Sequence, residues 1–231
     1  MNVDAAEVSK FNDLANRWWD PEGDFKPLHD INPLRLNYLC ERLDIQGKTA
    51  LDVGCGGGIY AESLALAGAN VTAIDMAERP LTIARLHAES NNVSVDYRAS
   101  TAEDLAAAEP ERYDVVSCLE MLEHVPDYAS TVAACARLAK PGGHLLFSTI
   151  NRHPKAYLLT VLGAEYVLGL LPKGTHNYES FIKPSELAAA ARAAGLQVED
   201  IAGMRYNPFS RRTALSRDVD ANYLLYARKP D

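Results

Sequence analysis

The fold of this chain is decided by the stretch Leu51-Asp52-Val53-Gly54-Cys55-Gly56-Gly57-Gly58. It joins a short apolar run to a following helix through glycines, and glycine lets a ligand lie against the backbone because it has no Cβ. The next apolar run ends in Asp75, about twenty residues downstream, where a carboxylate can accept hydrogen bonds from both ribose hydroxyls. The pattern predicts an α/β domain that binds a nucleotide-type cofactor.

The glycine turn alone does not identify the cofactor, because dinucleotide-binding folds use the same turn. Asp52 decides between the candidates. A carboxylate at the head of the loop suits a ligand that carries an ammonium group and a sulfonium, and it would be an unusual neighbour for a pyrophosphate. We therefore expect S-adenosylmethionine. The alternatives are an NAD-dependent oxidoreductase and a glycine turn that binds nothing.

Around this loop, short apolar runs alternate with segments that can form helices, which predicts a doubly wound, mainly parallel sheet with helices on both faces. The strand candidates are Thr49–Val53, Val71–Ile74, Val93–Tyr97, Tyr113–Cys118 and His144–Ser148. After an alanine-rich helix that begins at Pro184 and runs to Gly195, two more strands are expected near 196–201 and 221–228. We expect these two to pair as an antiparallel C-terminal hairpin.

Two helices are predicted before the first strand, over residues 1–47. Apolar residues recur at helical spacing from Val8 to Trp18, and the pair Trp18-Trp19 should anchor this first helix to the domain. Asn32 and Pro33 have the residue types of an N-cap and a first helical position. They predict a second helix that extends to about Leu43 and carries Arg35 on its first turn.

Length and charge limit the classes of function. The chain has 231 residues, enough for one catalytic domain over residues 1–231. Its formal net charge of −8, with no basic stripe, argues against a nucleic-acid partner. Its four cysteines occur singly and are expected to be buried thiols in a reducing cytoplasm. The first residues lack the features of a signal peptide, so export is not expected.

Two carboxylates and an imidazole follow the fourth strand candidate, at Glu120, Glu123 and His124. Ligands of open α/β sheets collect at the carboxyl ends of the strands, so this cluster should face the cofactor. The three side chains could bind a hard divalent cation such as Mg²⁺. Alternatively His124 acts as a general base, or the acids simply stabilise the start of a helix. The sequence leaves these roles open.

The stretch Tyr157–Leu171 is apolar on nearly every side of a helix, so one protein-facing stripe cannot bury it. Its fifteen residues are too few to span a bilayer. Cationic residues flank it within the segment 152–183, which favours an insertion that lies in a membrane interface. A buried insertion helix or a dimer contact is the alternative.

Taken together, these features resemble the ubiquinone biosynthesis O-methyltransferases, within the Rossmann-like class I S-adenosylmethionine-dependent methyltransferases, over essentially the full chain. The residues that carry the resemblance are Arg17-Trp18-Trp19-Asp20, Phe25-Lys26-Pro27-Leu28-His29, Ile31-Asn32-Pro33-Leu34-Arg35, Leu51 to Gly58, Glu120 to Pro126, Pro172-Lys173-Gly174-Thr175-His176 and Phe181-Ile182-Lys183-Pro184. The glycine loop is shared by a whole superfamily, whereas several of the other motifs are narrow.

The resemblance implies a cytoplasmic enzyme, peripherally associated with the inner face of the membrane. Its substrates would be 2-polyprenyl-6-hydroxyphenol and 3-demethylubiquinol, with S-adenosylmethionine as donor. It also allows membership of a ubiquinone biosynthesis complex. The residues that it implies as cofactor contacts are Arg35, Gly54, Asp75 and Leu119, those that it implies as metal ligands are Glu120, Glu123 and His124, and those expected to be catalytic are His124 and Glu120.

Two rival functions are considered. One is a related methyltransferase that acts on another small phenol or an acid, and removing the apolar segment without loss of activity would support it. The other is a non-catalytic lipid-binding or scaffold member of a biosynthetic complex. The intact glycine loop, Asp75 and the acid cluster argue against a scaffold, which needs none of them.

Overall fold

A computed structural model describes residues 2–157 and 178–231. The apolar segment Tyr157–Leu171 and the motif Pro172–His176 lie outside the described residues, apart from the backbone of Tyr157. Within the described ranges, no helix is long and apolar enough to cross a bilayer.

A twisted sheet forms the centre of the molecule. Its strands are β1 Thr49–Val53, β2 Asn70–Asp75, β3 Val95–Ala99, β4 Tyr113–Leu119, β5 Ala139–Ile150, β6 Gln197–Asn207, β7 Arg212–Ser216 and β8 Asn222–Arg228. Their order across the sheet is β3-β2-β1-β4-β5-β8-β6-β7. The first five strands are parallel, and β8, β6 and β7 each pair antiparallel with a neighbour. This confirms the predicted mainly parallel sheet.

Helices cover both faces of the sheet. They are α1 Ala5–Leu14, α2 Lys26–Cys40, α3 Ile59–Leu66, α4 Glu78–Ser90, α5 Ala102–Ala108, α6 Tyr128–Leu138, α7 Pro154–Tyr157 and α8 Pro184–Ala193. One core joins α2, α3 and α4 to the sheet, and a second core joins α5, α6 and α8 to its other face. Because the central strands are buried on both sides, they read as nearly continuous apolar runs in the sequence.

The predicted start of the second helix is wrong. Helix α2 begins at Lys26, not at Asn32, and Pro33 lies inside it. The Asn32 side chain is buried and donates to Ser63 Oγ at 2.7 Å, so it joins α2 to α3 instead of capping a helix. Pro33 removes one hydrogen bond of the helix. The packing of α2 against α3 outweighs that loss.

The C-terminal region contains one strand more than predicted. Strands β6 and β8 pair antiparallel, as expected, but β6 continues to Asn207 and turns into β7. Strand β7 was not predicted from the sequence because most of its residues are exposed and it lacks an apolar run. A smaller correction concerns Cys40, which is exposed, whereas the other three cysteines are buried.

The strand order reverses between β1 and β4, which lie side by side at the centre of the sheet. Such a switch point opens a crevice at the carboxyl ends of the strands, where α/β proteins bind ligands. The glycine loop follows β1, Asp75 ends β2, and Glu120 follows β4. The fold therefore brings these three elements to one edge of the sheet.

Candidate active site

The glycine loop has a conformation that other residues adopt with strain. Gly54, Gly56 and Gly58 have φ angles of +71°, +52° and +89°. A Cβ on Gly56 would lie 2.0 Å from Cζ2 of Trp18, and one on Gly54 would lie 2.3 Å from Cγ of Met121. The loop therefore needs glycine for its packing as well as for its backbone conformation.

The N-terminal segment is anchored on this loop by its two tryptophans. Trp18 is buried and stacks on Phe25 with ring centroids 4.1 Å apart. Trp19 is half-buried, and its Nε1 donates to the carbonyl oxygen of Gly57 at 2.9 Å. The predicted anchoring role of the tryptophan pair is confirmed, and its partner is the cofactor loop itself.

Two aspartates flank the loop. Asp75 accepts hydrogen bonds from the backbone N–H groups of Gly56 and Ala77, each at 2.8 Å, so its carboxylate is fixed beside the loop. Burial raises the pKa of Asp75, although these backbone donors oppose the shift. Burial also raises the pKa of Asp52 to about 7, with partial compensation from the hydroxyl of Ser117 at 2.8 Å. A cationic ligand placed beside Asp52 would favour its ionised form.

Arg35 lies on α2 and is buried at the same edge of the sheet. Its Nη2 donates to Glu120 Oε1 at 2.8 Å, while its Nε has no hydrogen-bond partner among the described residues. Glu120 also accepts from Ser148 Oγ at 2.8 Å and from Asn222 Nδ2 at 3.1 Å. Its φ angle of +51° is unusual for a residue with a side chain. Three side chains, from α2, β5 and β8, thus hold this carboxylate in place.

Glu123 and His124 point to different partners. Glu123 is buried and accepts from Thr149 Oγ1 at 2.7 Å, and its Oε1 has no hydrogen-bond partner in the described part of the chain. Burial and the charge of Glu120 raise the pKa of Glu123 to about 7. The Nδ1 of His124 lies 2.7 Å from Oε2 of Glu7, on α1.

Among residues 2–157 and 178–231, no three His, Cys, Asp or Glu side chains are arranged to hold a metal ion, so the predicted cation site stays a prediction. In the structure the three predicted ligands have other partners. Glu120 accepts from three donors, Glu123 bonds to Thr149, and His124 bonds to Glu7.

Glu7 is the functional candidate that the sequence analysis missed. It lies one helical turn before Phe11, whose ring meets the His124 ring edge-on at a centroid distance of 5.1 Å. The hydrogen bond with His124 lowers the pKa of Glu7. The only available signal was the position of an acid beside the apolar stripe of α1, and nothing local indicated a partner more than a hundred residues away.

The carboxylates described above, together with Arg35 and His124, line one cavity of about 950 Å³. Its wall is formed by the N-terminal segment, the glycine loop, the ends of β2 and β4, and the β6–β7 hairpin. The predicted site residues that line it are Arg35, Gly54, Asp75, Leu119, Glu120, Glu123 and His124. The structure therefore brings every predicted site residue to one place. The volume is large enough for a cofactor and an acceptor side by side.

The fold and this cavity define a class I S-adenosylmethionine-dependent methyltransferase. A family model described as "Methyltransferase domain" matches residues 30–201. Magnesium protoporphyrin IX methyltransferase from Synechocystis, solved with bound S-adenosylhomocysteine, has the same fold. The TM-score is 0.72 at 22% identity over 98% of this chain and 100% of that one.

Two curated relatives identify the family more narrowly. The ubiquinone biosynthesis O-methyltransferase of Pseudomonas syringae pv. tomato is 61% identical over 97% of both chains. That of Hahella chejuensis is 61% identical over 99% of this chain and 96% of its own. This chain belongs to the family of ubiquinone biosynthesis O-methyltransferases. The predicted family, fold class and methyl transfer from S-adenosylmethionine are confirmed, and the roles of the individual site residues remain predictions.

Proposed function

We propose that the protein methylates two hydroxyls in ubiquinone biosynthesis, on 2-polyprenyl-6-hydroxyphenol and on 3-demethylubiquinol. Relatives about 60% identical over nearly their whole length carry this pathway in their names. The observation that supports the proposal is that the glycine loop and a histidine bonded to a carboxylate both line the same cavity of about 950 Å³. Such a cavity can hold a methyl donor and a phenol together.

On the donor side, four residues would bind S-adenosylmethionine. Asp75 keeps lone pairs for ribose hydroxyls beyond its two backbone bonds. Gly54 leaves the backbone open to the ligand, and Leu119 offers an apolar surface to the adenine. Arg35, with its unpartnered Nε, is suited to the carboxylate of the methionine moiety.

On the acceptor side, His124 would act as the general base. S-adenosylmethionine, when bound, supplies an electrophilic methyl group. The phenolic proton passes to Nε2 of His124, because Nδ1 faces Glu7. With S-adenosylmethionine bound, the deprotonated oxygen would take its methyl group in exchange for the carbon–sulfur bond, with S-adenosylhomocysteine as the second product. Glu7 orients the imidazole and stabilises its positive charge, and Glu120 holds Arg35 in the cavity.

Binding of a divalent cation, with Mg²⁺ as the first candidate, stays a prediction. Glu120, Glu123 and His124 would be its ligands, but in the described ranges no three such side chains are arranged to hold a metal ion, so we derive no step through one.

We further propose that the enzyme works in the cytoplasm, peripherally associated with the inner face of the membrane, in contact with other members of a ubiquinone biosynthesis complex. A polyprenyl tail remains in the bilayer, so the enzyme must reach its acceptor there. The apolar segment Tyr157–Leu171 supports this arrangement.

The test is transfer of labelled methyl from S-adenosylmethionine to a short-chain demethylubiquinol and to a short-chain 2-polyprenyl-6-hydroxyphenol, with and without a chelator. We expect transfer to both acceptors. Transfer that resists the chelator would support His124 as the base, whereas loss of transfer that Mg²⁺ restores would support the cation. A protein that binds S-adenosylmethionine and methylates neither acceptor would contradict the proposed substrates.

A further inference from the structure

A cluster of three side chains lies beside the glycine loop, outside the wall of the active-site cavity. Its members are Trp19 from the N-terminal segment, Glu62 from α3 and His87 from α4. The rings of Trp19 and His87 stack almost in parallel, with centroids 3.4 Å apart and 5° between their planes. Nδ1 of His87 donates to the carboxylate of Glu62 at 2.9 Å. We call this set the Trp19 cluster, and the chemistry proposed above uses none of its members.

The Trp19 cluster reaches the glycine loop through one hydrogen bond. Nε1 of Trp19 donates to the carbonyl oxygen of Gly57 at 2.9 Å. The same peptide unit carries the N–H of Gly58, which donates to the carbonyl oxygen of Cys55 at 2.9 Å. Both polar groups of the 57–58 peptide therefore have partners, and these fix the orientation of its plane. Without them the plane can turn, because glycine allows many backbone conformations.

His87 fixes the ring of Trp19. A tryptophan side chain has two rotatable bonds, so a single hydrogen bond leaves its ring free to tilt. With the imidazole stacked 3.4 Å away, a tilt of the indole breaks the contact between the two rings. The ring of His29, on α2, lies 5.5 Å from the indole at an angle of 59°. Trp19 thus has aromatic neighbours from two helices.

Glu62 in turn fixes the imidazole of His87. The Glu62 side chain is 5% exposed, and within residues 2–157 and 178–231 its carboxylate has no hydrogen-bond donor other than His87. Burial raises the pKa of Glu62, and the hydrogen bond from His87 opposes the shift. A buried carboxylate without a donor is costly, so the two side chains hold each other in place. Glu62 also lies in the first turn of α3, directly after the glycine loop.

We propose that His87 and Glu62 are positioning residues for S-adenosylmethionine. They hold Trp19 on the glycine loop and so keep the 57–58 peptide in one orientation. Residues 54–56 of the loop line the cavity next to this peptide, so a rotation of the peptide changes the surface that the donor meets. A loop that is ordered before binding loses little conformational freedom when the ligand arrives, which raises affinity. The inference rests on the proposed binding of the donor at this loop.

The test is calorimetric binding of S-adenosylmethionine to the full chain and to single variants. His87→Ala removes the stack and should raise the Kd about tenfold, with kcat at saturating donor within about twofold of wild type. His87→Phe keeps an aromatic face for Trp19 and should recover most of the affinity. Both variants remove the donor to Glu62, so the difference between them reports the stack alone. Glu62→Leu, which frees the imidazole, should raise the Kd about threefold.

Leu86→Ala is the matched control. Leu86 precedes His87 on α4, is 55% exposed and does not line the cavity, so this variant should have the wild-type Kd. A second measurement needs no donor. In the ligand-free protein, the indole NMR signal of Trp19 Nε1–H should exchange with deuterium faster in His87→Ala than in wild type or in Leu86→Ala. The chain has two tryptophans, and Trp19→Phe assigns the signal.

Equal donor affinity of His87→Ala and Leu86→Ala, with urea unfolding showing both folded, would overturn the inference. So would a His87→Phe variant that binds no better than His87→Ala, or indole exchange in His87→Ala that matches wild type. Gly56→Ala separates the inference from the proposed donor site. Weak binding in Gly56→Ala with wild-type binding in His87→Ala refutes the role of His87 alone. Wild-type binding in Gly56→Ala contradicts the donor site and this inference with it.

Discussion

Replacing Glu7 by glutamine should slow methyl transfer without weakening cofactor binding. Glutamine keeps the size of the side chain and an oxygen that can accept from Nδ1 of His124, but it removes the negative charge. In the structure that charge lies 2.7 Å from the imidazole, on which a positive charge forms when the phenolic proton is taken up. The variant therefore separates the effect of the charge of Glu7 from the effect of the shape of its side chain.

The size of the effect follows from the geometry. A hydrogen bond between charged groups contributes about 1.5–3 kcal/mol, and each 1.4 kcal/mol is roughly a factor of ten in rate. Solvent reaches 28% of the Glu7 side chain, which favours the lower end of that range. We expect kcat to fall roughly ten- to thirtyfold, with the Kd for S-adenosylmethionine unchanged.

The assay is single-turnover transfer of labelled methyl to a short-chain demethylubiquinol, with calorimetry for the Kd. Asp13→Asn provides the matched control, because Asp13 lies on the same helix, is 76% exposed and pairs with Arg79 at 3.7 Å. It should have wild-type kcat. A wild-type rate in Glu7→Gln would refute the role of Glu7, and so would equal losses in the two variants.

Three further predictions concern the loop, the base and the buried acid. Gly56→Ala should destabilise the fold by about 2 kcal/mol or more and weaken cofactor binding, because its φ is +52° and its Cβ would meet Trp18. Gly47 has a φ of +71° and no atom within 4 Å of the position that a Cβ would occupy, so Gly47→Ala should lower the free energy of unfolding, measured with urea, less than Gly56→Ala does. Equal losses in the two variants would contradict the clash with Trp18. His124→Gln should abolish turnover while calorimetry still detects cofactor binding; lost binding would place His124 in the cofactor site. Burial raises the pKa of Asp52 from 3.8 to about 7. The folded state then keeps a proton that the unfolded state has released, so stability contributed by Asp52 is complete below about pH 4 and is lost as the pH rises towards 7. In Asp52→Asn, the free energy of unfolding measured with urea should fall less steeply as the pH rises from about 4 towards 7. A fall as steep as in the wild type would argue against this contribution of Asp52.

The central sheet could be predicted because its signals are local. Parallel strands buried on both faces are apolar runs, and the turns between them contain glycine and proline. Strand β1 accordingly lies at the predicted residues Thr49–Val53. The start of α2 was mispredicted because Asn32 and Pro33 carry a local capping signature that tertiary packing overrides. Strand β7 was missed because its exposed residues have no pattern that distinguishes a strand from a loop.

Site residues could be predicted where they lie at the end of a strand or directly after it. The glycine loop, Asp75 and Glu120 each come immediately after or at the end of a strand, and the topology of the sheet brings such positions together. Partners that come from distant segments could not be predicted. Glu7 reaches His124 from α1, and Asn222 reaches Glu120 from the last strand. Their roles depend on the three-dimensional arrangement, because residues so far apart in the chain form no motif of fixed spacing in the sequence.

The position of β8 in the sheet has a consequence for the order of folding. Although it is the last strand in the chain, β8 lies between β5 and β6, so β6 and β7 join the sheet only through it. Until β8 has inserted, Asn222 cannot bond to Glu120, and the hairpin has no platform from which Arg211 can reach Asp30. The cavity therefore cannot be complete before β8 has paired with β5 and β6. A chain still emerging from the ribosome acquires a working site only after this strand is in place.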